Sequence, residues 1–281
     1  MINVPYHLSY RLARARRWFY TSRLASYAQA PLPPGPELPF RVVSLSGMRD
    51  LAEQVASWRS LLQHLGQPQE FLLVSDGTHT EEAKAILHSL HPRVRITVWR
   101  DYLTAAAPDC VHRYARTNPM GMKLSAFMGL PQFAPLLYCD SDILFFPGIA
   151  HFRDYFRATP PDVLYLPDCA PSFDKHLLQS PEEFQNPVNA GFLYLNRAIS
   201  LDKGLSRFAN PDHPNSFFSE QTIVHLAVHE AKGQALPADR YIMRSEDQWS
   251  PTDAYASRPG VAMRHYISSI RYKMWHQIPL L

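Results

Sequence analysis

Asp140 and Asp142 stand one residue apart inside an apolar run, Leu136-Leu137-Tyr138-Cys139-Asp140-Ser141-Asp142-Ile143-Leu144-Phe145-Phe146. Ionised carboxylates in such company must be paired, hydrogen-bonded or bound to a metal, because an unpaired buried charge is costly even after the surroundings relax. Pro131 and Pro135 precede the run, Pro147-Gly148 follow it, and Leu136 to Cys139 have the length and character of a buried strand. The aspartates therefore fall at the strand's carboxyl end, where an open α/β sheet binds its ligands. Two hard oxygen donors at this spacing suit Mg²⁺ or Mn²⁺ carrying a substrate diphosphate. A strand ending in an Asx-turn, with both carboxylates on loop amides, accounts for the aspartates equally well. It gives no reason for Ile143, Leu144, Phe145 and Phe146 to follow.

Other residue types capable of chemistry lie around this pair. Met122 to Leu130 reads as a short helix stopped by Pro131, which delivers Lys123 just ahead of the acidic strand, within reach of a phosphate or a sugar hydroxyl or else on a solvated surface. His225 and His229 lie four apart on a helical stretch beside Glu230, but a zinc-protease motif needs Glu at 226, where Leu226 stands. There is no GxGxxG after the first strand, no GxxxxGK[ST] and no GxSxG. With no glycine-rich cradle to hold a phosphate, a metal ion becomes the better charge partner.

The elements that must position these groups follow an alternating order. Arg41 to Leu45 is a short strand, and Leu51, Val55, Trp58, Leu62 and Leu65 form a helical stripe ending at Gly66. Glu70 to Ser75 is the next strand. Thr78-His79-Thr80-Glu81 has the pattern of a capping box opening a helix to about Leu90, and Val94, Ile96 and Val98 alternate as a third strand. This βαβαβ order predicts a parallel sheet, with the turns Ser44-Leu45-Ser46-Gly47 and Ser75-Asp76-Gly77-Thr78 on its ligand side. Beyond Phe146 come a helix from His151 to Arg157, a strand from Val163 to Leu166, an irregular polar stretch from Asp168 to Pro187 and a strand from Gly191 to Leu195. A helix from about Glu220 to Ala231 and a basic, aromatic end complete the chain.

A chain of 281 residues with 46% hydrophobic content buries a substantial core, in one large α/β domain or two small ones. Cys110, Cys139 and Cys169 are too few and too scattered for a disulfide framework, so a reducing cytoplasm is the default. The net charge of +3 hides an asymmetry, since residues 1–30 hold Arg11, Arg14, Arg16, Arg17 and Arg23 and no acid, leaving −2 for the remainder. A near-neutral body argues against a nucleic-acid surface. No apolar run is long enough to span a bilayer, and the arginines interrupt the place where a signal peptide's apolar core would lie. In the arm, Leu8, Leu12, Ala15 and Phe19 fall at helical spacing between arginines and Trp18. Such a basic helix fits an anionic membrane surface, which would make the protein peripheral to the membrane's inner face, or it packs on the domain or on a partner subunit. Residues 31–39, with five prolines, read as a stiff linker. The division expected is a basic helical arm with its linker at 1–39 and a catalytic domain at 40–281.

Four blocks in order, Tyr138 to Phe146, Asn189-Ala190-Gly191-Phe192-Leu193-Tyr194-Leu195-Asn196, Glu220-Gln221 and His265-Tyr266, resemble the nucleotide-sugar glycosyltransferases of the GT-A fold, and most of all family 8 and similar bacterial enzymes. The resemblance runs from Phe40 to Trp275 and leaves the arm outside. It implies a Rossmann-like, mainly parallel mixed sheet flanked by helices, whose half at 40–146 binds the nucleotide and whose half at 147–281 binds sugar and acceptor. It implies that Asp140 and Asp142 hold Mn²⁺ or Mg²⁺ on the donor diphosphate, with His265 as the third protein ligand. Asn189 and Gly191 match the block lining the sugar pocket, and Ser44, Ser141 and Lys123 join the donor site. Glu220-Gln221 stands where the family more often has Asp-Gln beside the reacting carbon, so those two are the catalytic candidates. For the cation that neutralises the leaving phosphate, Arg271 has the better distance from His265 and Lys273 the better context before Met274-Trp275; Lys273 is taken first.

The activity implied is transfer of a hexose or related sugar from a nucleoside diphosphate, UDP foremost, to a hydroxyl of a saccharide or glycolipid, with retention. A sugar-phosphate nucleotidyltransferase is the alternative enzyme, although Ser44 to Arg49 offers only one glycine and one arginine for the basic loop that chemistry needs. A membrane-associated scaffold of the same fold is the non-catalytic alternative; it leaves Asp140, Asp142 and His265 unexplained.

Overall fold

A computed structural model describes residues 3–157, 159–210 and 214–280. The chain opens with helices α1 (Val4–Ser22) and α2 (Leu24–Gln29) and then alternates through β1 (Arg41–Ser46), α3 (Leu51–His64), β2 (Phe71–Ser75), α4 (Glu81–Leu90) and β3 (Val94–Val98). Helices α5 (Asp109–Thr117) and α6 (Pro119–Gly129) lead to β4 (Leu136–Cys139) and β5 (Ile143–Phe145). There follow β6 (Val163–Pro167), β7 (Val188–Leu195), α7 (Asp202–Phe208), α8 (Ser219–Glu230), β8 (Gln234–Ala235), β9 (Tyr241–Ile242), β10 (Met263–His265) and α9 (Arg271–Gln277). No described helix is long and apolar enough to cross a membrane.

The main sheet has the order β3-β2-β1-β4-β7-β6-β8. Its first four strands are parallel, β7 runs antiparallel to both β4 and β6, and β8 pairs parallel to β6. The alternation of strand side chains divides the core into two layers. Val42, Leu73, Leu137, Phe192 and Tyr194 pack on one side with α3 and α4, and Val43, Leu72, Val74, Tyr138 and Leu193 pack on the other with α5, α6 and α8. Each such apolar side chain contributes about 1.5–3 kcal/mol when fully removed from water, and these layers fix the level at which the strands end.

A second sheet, β5-β10-β9, positions the site. The chain leaves β4 through Asp140-Ser141-Asp142, and β5 then pairs antiparallel with β10 so that Ile143 lies opposite His265. The apolar residues after the aspartates are the strand that makes this pairing, which is why the run continues past the acidic pair.

Several local expectations need correcting. The first α4 turn is capped by Thr80, whose hydroxyl accepts the Ala83 amide at 3.2 Å, whereas Thr78 bonds Asp76 and the Met48 amide. Pro147–Phe156 is 3-10 helix, and β7 begins at Val188, so Asn189 lies within it. In α1 the stripe Leu8, Leu12, Ala15 and Phe19 is not the buried face: Ala13 and Tyr20 are buried while Leu8, Leu12 and Ala15 are exposed. Tyr20 meets Trp275 of α9 with ring centroids 5.4 Å apart, and Arg16 donates to the Trp275 and Ile278 carbonyls. The proline-rich stretch lies along the body, with the Leu38 amide on the Gln67 carbonyl and Glu37 paired to Arg93.

Candidate metal and donor site

The carboxyl ends of β4 and β10 and the amino-terminal half of β7 converge on one point. Carboxylate oxygens of Asp140 and Asp142 and a ring nitrogen of His265 all lie within 4.8 Å of one another. His265 Nε2 is 3.1 Å from Asp142 Oδ1 and 3.8 Å from Asp140 Oδ2. The antiparallel register makes this possible, and the Tyr266 amide donating to the Asp142 carbonyl at 2.8 Å fixes it.

Asn189 sets the imidazole. Its Oδ1 accepts the Gly191 amide at 2.9 Å and faces His265 Nδ1 at 3.1 Å. An amide oxygen only accepts, so this network assigns the proton to Nδ1 and turns Nε2 toward the carboxylates. Gly191 makes room for all three groups: a Cβ there would sit 2.4 Å from His265 Cε1 and 2.7 Å from both Asp140 Oδ2 and Asn189 Oδ1. The Asp140 amide donates to the Gly191 carbonyl at 2.8 Å, so glycine is needed for side-chain space while its backbone continues the sheet.

Charge is concentrated here in pairs. Burial alone would raise the Asp142 carboxyl, but His265 and Arg271 outweigh it and hold the group below the usual carboxylate range. Burial opposes protonation of His265, and Asp142 overcomes it to raise the imidazole. Lys123, buried on α6, reaches Asp140 Oδ1 at 3.0 Å, where Asp140 and Glu220 offset the desolvation of its ammonium and raise it. The Tyr138 hydroxyl donates to the same carboxylate at 2.9 Å. Glu220, in the first turn of α8, has one carboxyl oxygen buried without a partner. Burial, reinforced by Asp140 and opposed by Lys123, pushes it up to about 7.

The donor set fits Mn²⁺ or Mg²⁺, since two carboxylates and one imidazole leave coordination positions for phosphate oxygens and water. Asn189 supplies the partner on the far ring nitrogen that metal-bound histidines characteristically have. A cleft of about 460 Å³ opens beside the pair, lined by Ser46, Gly47, Asp76, Lys123, Ser141 and Arg271 among others. The turns at the ends of β1 and β2 thus reach the ligand side, as the βαβαβ order requires.

Two donor-site candidates lie elsewhere. Ser44 is fully buried and faces inward, accepting from Trp58 Nε1 at 3.1 Å beside Cys139, whereas Ser46 and Gly47 line the cleft. Ser44 and Ser46 share a strand face, but Ser44 lies two residues short of the end of β1, where Trp58 of α3 covers it, and Ser46 is the strand's last residue. Lys273, taken first for the diphosphate, is fully buried against Asp247 at 3.0 Å and the Thr252 carbonyl. Arg271 reaches the site instead, pairing with Asp142 and, at 3.3 Å, with Asp50. On the short helix α9 the two residues are about 200° apart, so only one of them faces the cleft.

Asp168 was not singled out in the sequence. Its Oδ2 accepts from Asn189 Nδ2 at 3.3 Å and Gln221 Nε2 at 3.0 Å, tying the histidine's partner to the first turn of α8. Its place immediately after β6, at a strand end, is the signal that could have found it.

Solved structures that share this fold include glycosyltransferases. Mouse xyloside xylosyltransferase 1 superposes with a TM-score of 0.54 at 13% identity over 84% of this chain and 99% of that one. The galactosyltransferase LgtC, solved with donor and acceptor sugar analogs, gives 0.53 at 12% identity over 86% and 97%. The fold is GT-A. The bifunctional glycosyltransferase WbbM gives 0.52 at 13% identity over 85% of this chain, which spans about half (48%) of that protein. No protein-family model matches the sequence. No curated protein matches it either. In this GT-A chain, therefore, the likeness is carried by backbone architecture, and the side-chain argument stands on the geometry above.

Proposed function

We propose that this protein is a metal-dependent glycosyltransferase moving a hexose or related sugar from a nucleoside diphosphate, UDP in the first instance, to a hydroxyl of a saccharide or lipid-linked saccharide, with retention at the anomeric carbon. The observation that carries the reading is the convergence of Asp140, Asp142 and His265 beside the cleft at the carboxyl end of β4. The neighbouring GT-A structures support the transferase class.

Asp140, Asp142 and His265 would hold the divalent ion, which when bound supplies a Lewis acid against the charge gathering on the diphosphate. Arg271, already paired to Asp142, adds a fixed guanidinium on the leaving-group side. With His265 neutral as a ligand, the ion, Lys123 and Arg271 exceed the two aspartates by two positive charges, which complements a diphosphate. On the sugar side, Gln221 has its amide nitrogen engaged by Asp168 and the Ser172 carbonyl. Its oxygen is then the atom left to face a cation-like anomeric carbon. Glu220, whose carboxyl burial pushes up against the opposing charge of Lys123, is the neighbouring residue. The acceptor oxygen forms its bond to the anomeric carbon as the bond to the diphosphate breaks, and its proton leaves to the departing phosphate oxygen or to water.

The test is a panel of nucleotide sugars with Mn²⁺, following donor hydrolysis and transfer. Turnover should require the metal and be abolished in Asp142→Asn. Full activity in that variant would sink the metal assignment, and no turnover of any donor by a metal-binding wild type would sink the activity.

A further inference from the structure

The outer face of α1 has no partner among the described residues. Val4, Leu8, Leu12 and Trp18 are 64%, 68%, 53% and 72% exposed. Val4, Leu8, Leu12, Ala15 and Phe19 follow the three- and four-residue spacing of one helix face. That face points away from Tyr6, Ala13 and Tyr20, which hold the helix to the body. The charges are partitioned in the same way. Arg16 and Arg17 turn inward, Arg16 to the carbonyls at the end of α9 and Arg17 to Glu53 at 2.7 Å. Arg11 and Arg14 are exposed and form no ion pair with a described residue, and Arg23, also exposed, stacks on Phe19 at 4.3 Å. No acid precedes Glu37.

We propose that this face docks on the surface of a bilayer containing anionic lipid, with α1 lying in the plane of the headgroups. The chemistry on the page selects that occupant: an exposed apolar stripe with a tryptophan, edged by arginines without counter-ions and free of carboxylates, matches acyl chains beneath a negative headgroup layer. A protein partner would need a complementary acidic surface, and among the described residues the ion pair that α1 makes with the body is Arg17 to Glu53, on its inner side. The stripe continues into a groove of about 580 Å³ between Pro5, Leu8 and Leu12 on one side and Pro251, Ser257 and His276 on the other. Asp253 lines the groove, but Arg264 and the Tyr266 hydroxyl hold its carboxylate inside. Exposed Arg258 lies on the same loop.

Arg17 also donates to the Arg49 carbonyl at 3.0 Å, and Arg49 and Asp50 line the donor cleft. The inner face of the helix is therefore tied to a loop that lines the cleft. The surface proposal is independent of the sugar-transfer reading, and its test uses no donor.

The full chain is mixed with vesicles of phosphatidylcholine alone or with phosphatidylglycerol added, and the bound fraction is read by co-sedimentation at low and raised salt. Binding should be about tenfold or more stronger on the anionic vesicles and weaken with salt. Leu8→Glu with Leu12→Glu, and separately Arg11→Glu with Arg14→Glu, should each lower it at least about tenfold while leaving the melting temperature unchanged, because all four side chains are exposed. Absence of wild-type binding, equal binding to neutral vesicles, or undiminished binding by the leucine variant would overturn the proposal. So would a concentration-dependent dimer that the leucine variant abolishes, since the face would then belong to a second copy of this chain.

Discussion

Replacing Gly191 by alanine puts a methyl group 2.4 Å from His265 Cε1, 2.7 Å from Asp140 Oδ2 and 2.7 Å from Asn189 Oδ1. Ordinary contact begins at 3.4 Å, so the imidazole must retreat by roughly 1 Å or the strand must move. Metal–ligand distances tolerate only about 0.2 Å, so the displaced histidine can no longer share an ion with both aspartates. Overpacking of this kind costs about 1–3 kcal/mol of stability. Disturbing a ligand through its surroundings typically lowers metal affinity about 10–100-fold, which is about 1.4–2.7 kcal/mol. The assay is calorimetric titration of the protein with Mn²⁺, alongside melting curves with and without chelator. Gly233→Ala is the control, because its methyl would meet Val228 Cγ1 at 2.7 Å far from the acidic pair. It should lower the melting temperature and leave Mn²⁺ affinity alone. If Gly191→Ala binds Mn²⁺ within twofold of wild type, His265 is not a ligand and the site as described is wrong.

Three further outcomes are expected. Arg271→Ala should weaken donor binding about tenfold or more, whereas Lys273→Ala should leave donor affinity of the folded protein unchanged. Both should lower stability, since each strips one of two partners from a buried carboxylate, Asp142 keeping His265 and Asp247 keeping Arg264; reversed effects on donor affinity would return the diphosphate role to Lys273. Asn189→Ala frees the His265 tautomer and should lower Mn²⁺ affinity about 10–100-fold in titration, with Asn189→Asp, which keeps an acceptor oxygen, losing less; equal affinities in all three proteins would show that the second ring nitrogen does not matter. Glu220 has a folded-state value of about 7 against an ordinary 4.5, so its contribution to stability is fully present below about pH 4.5 and is lost as pH rises through about 7, by up to about 3 kcal/mol. Glu220→Gln should therefore melt several degrees higher relative to wild type at pH 8 than at pH 5 in metal-free protein, and a pH-independent difference would mean that Glu220 titrates normally.

Much of the architecture was legible from local pattern. The alternation from Arg41 to Val98 contains a strand period, a helix period and glycines at the turns, and each is a property of a few adjacent residues. The acidic pair was legible for a similar reason, because two carboxylates between Cys139 and Ile143 conflict with their apolar neighbours unless a partner arrives. Ser44 and Thr78 were misread because the exact residue at which a strand ends or a helix is capped shifts by two positions, to Ser46 and Thr80, while barely changing the sequence signal. The arm shows the same limit: an apolar stripe indicates that a helix has two faces, and the structure shows that Tyr6, Ala13 and Tyr20 bury the other one.

The sequence by itself determined the parallel half-sheet, the strand end bearing Asp140 and Asp142, and the arm's charge, all of which depend on residues close together in the chain. The resemblance named His265 as partner of those aspartates and the fold brings it to them; tertiary structure alone decided that Arg271 rather than Lys273 faces them, and that Asp168 joins Asn189 to Gln221. Those contacts span up to 129 residues and are set by the β5–β10 register and by the rotation of one short helix. Neither quantity is encoded in any single segment, because each is the outcome of apolar packing on both sides of the sheet.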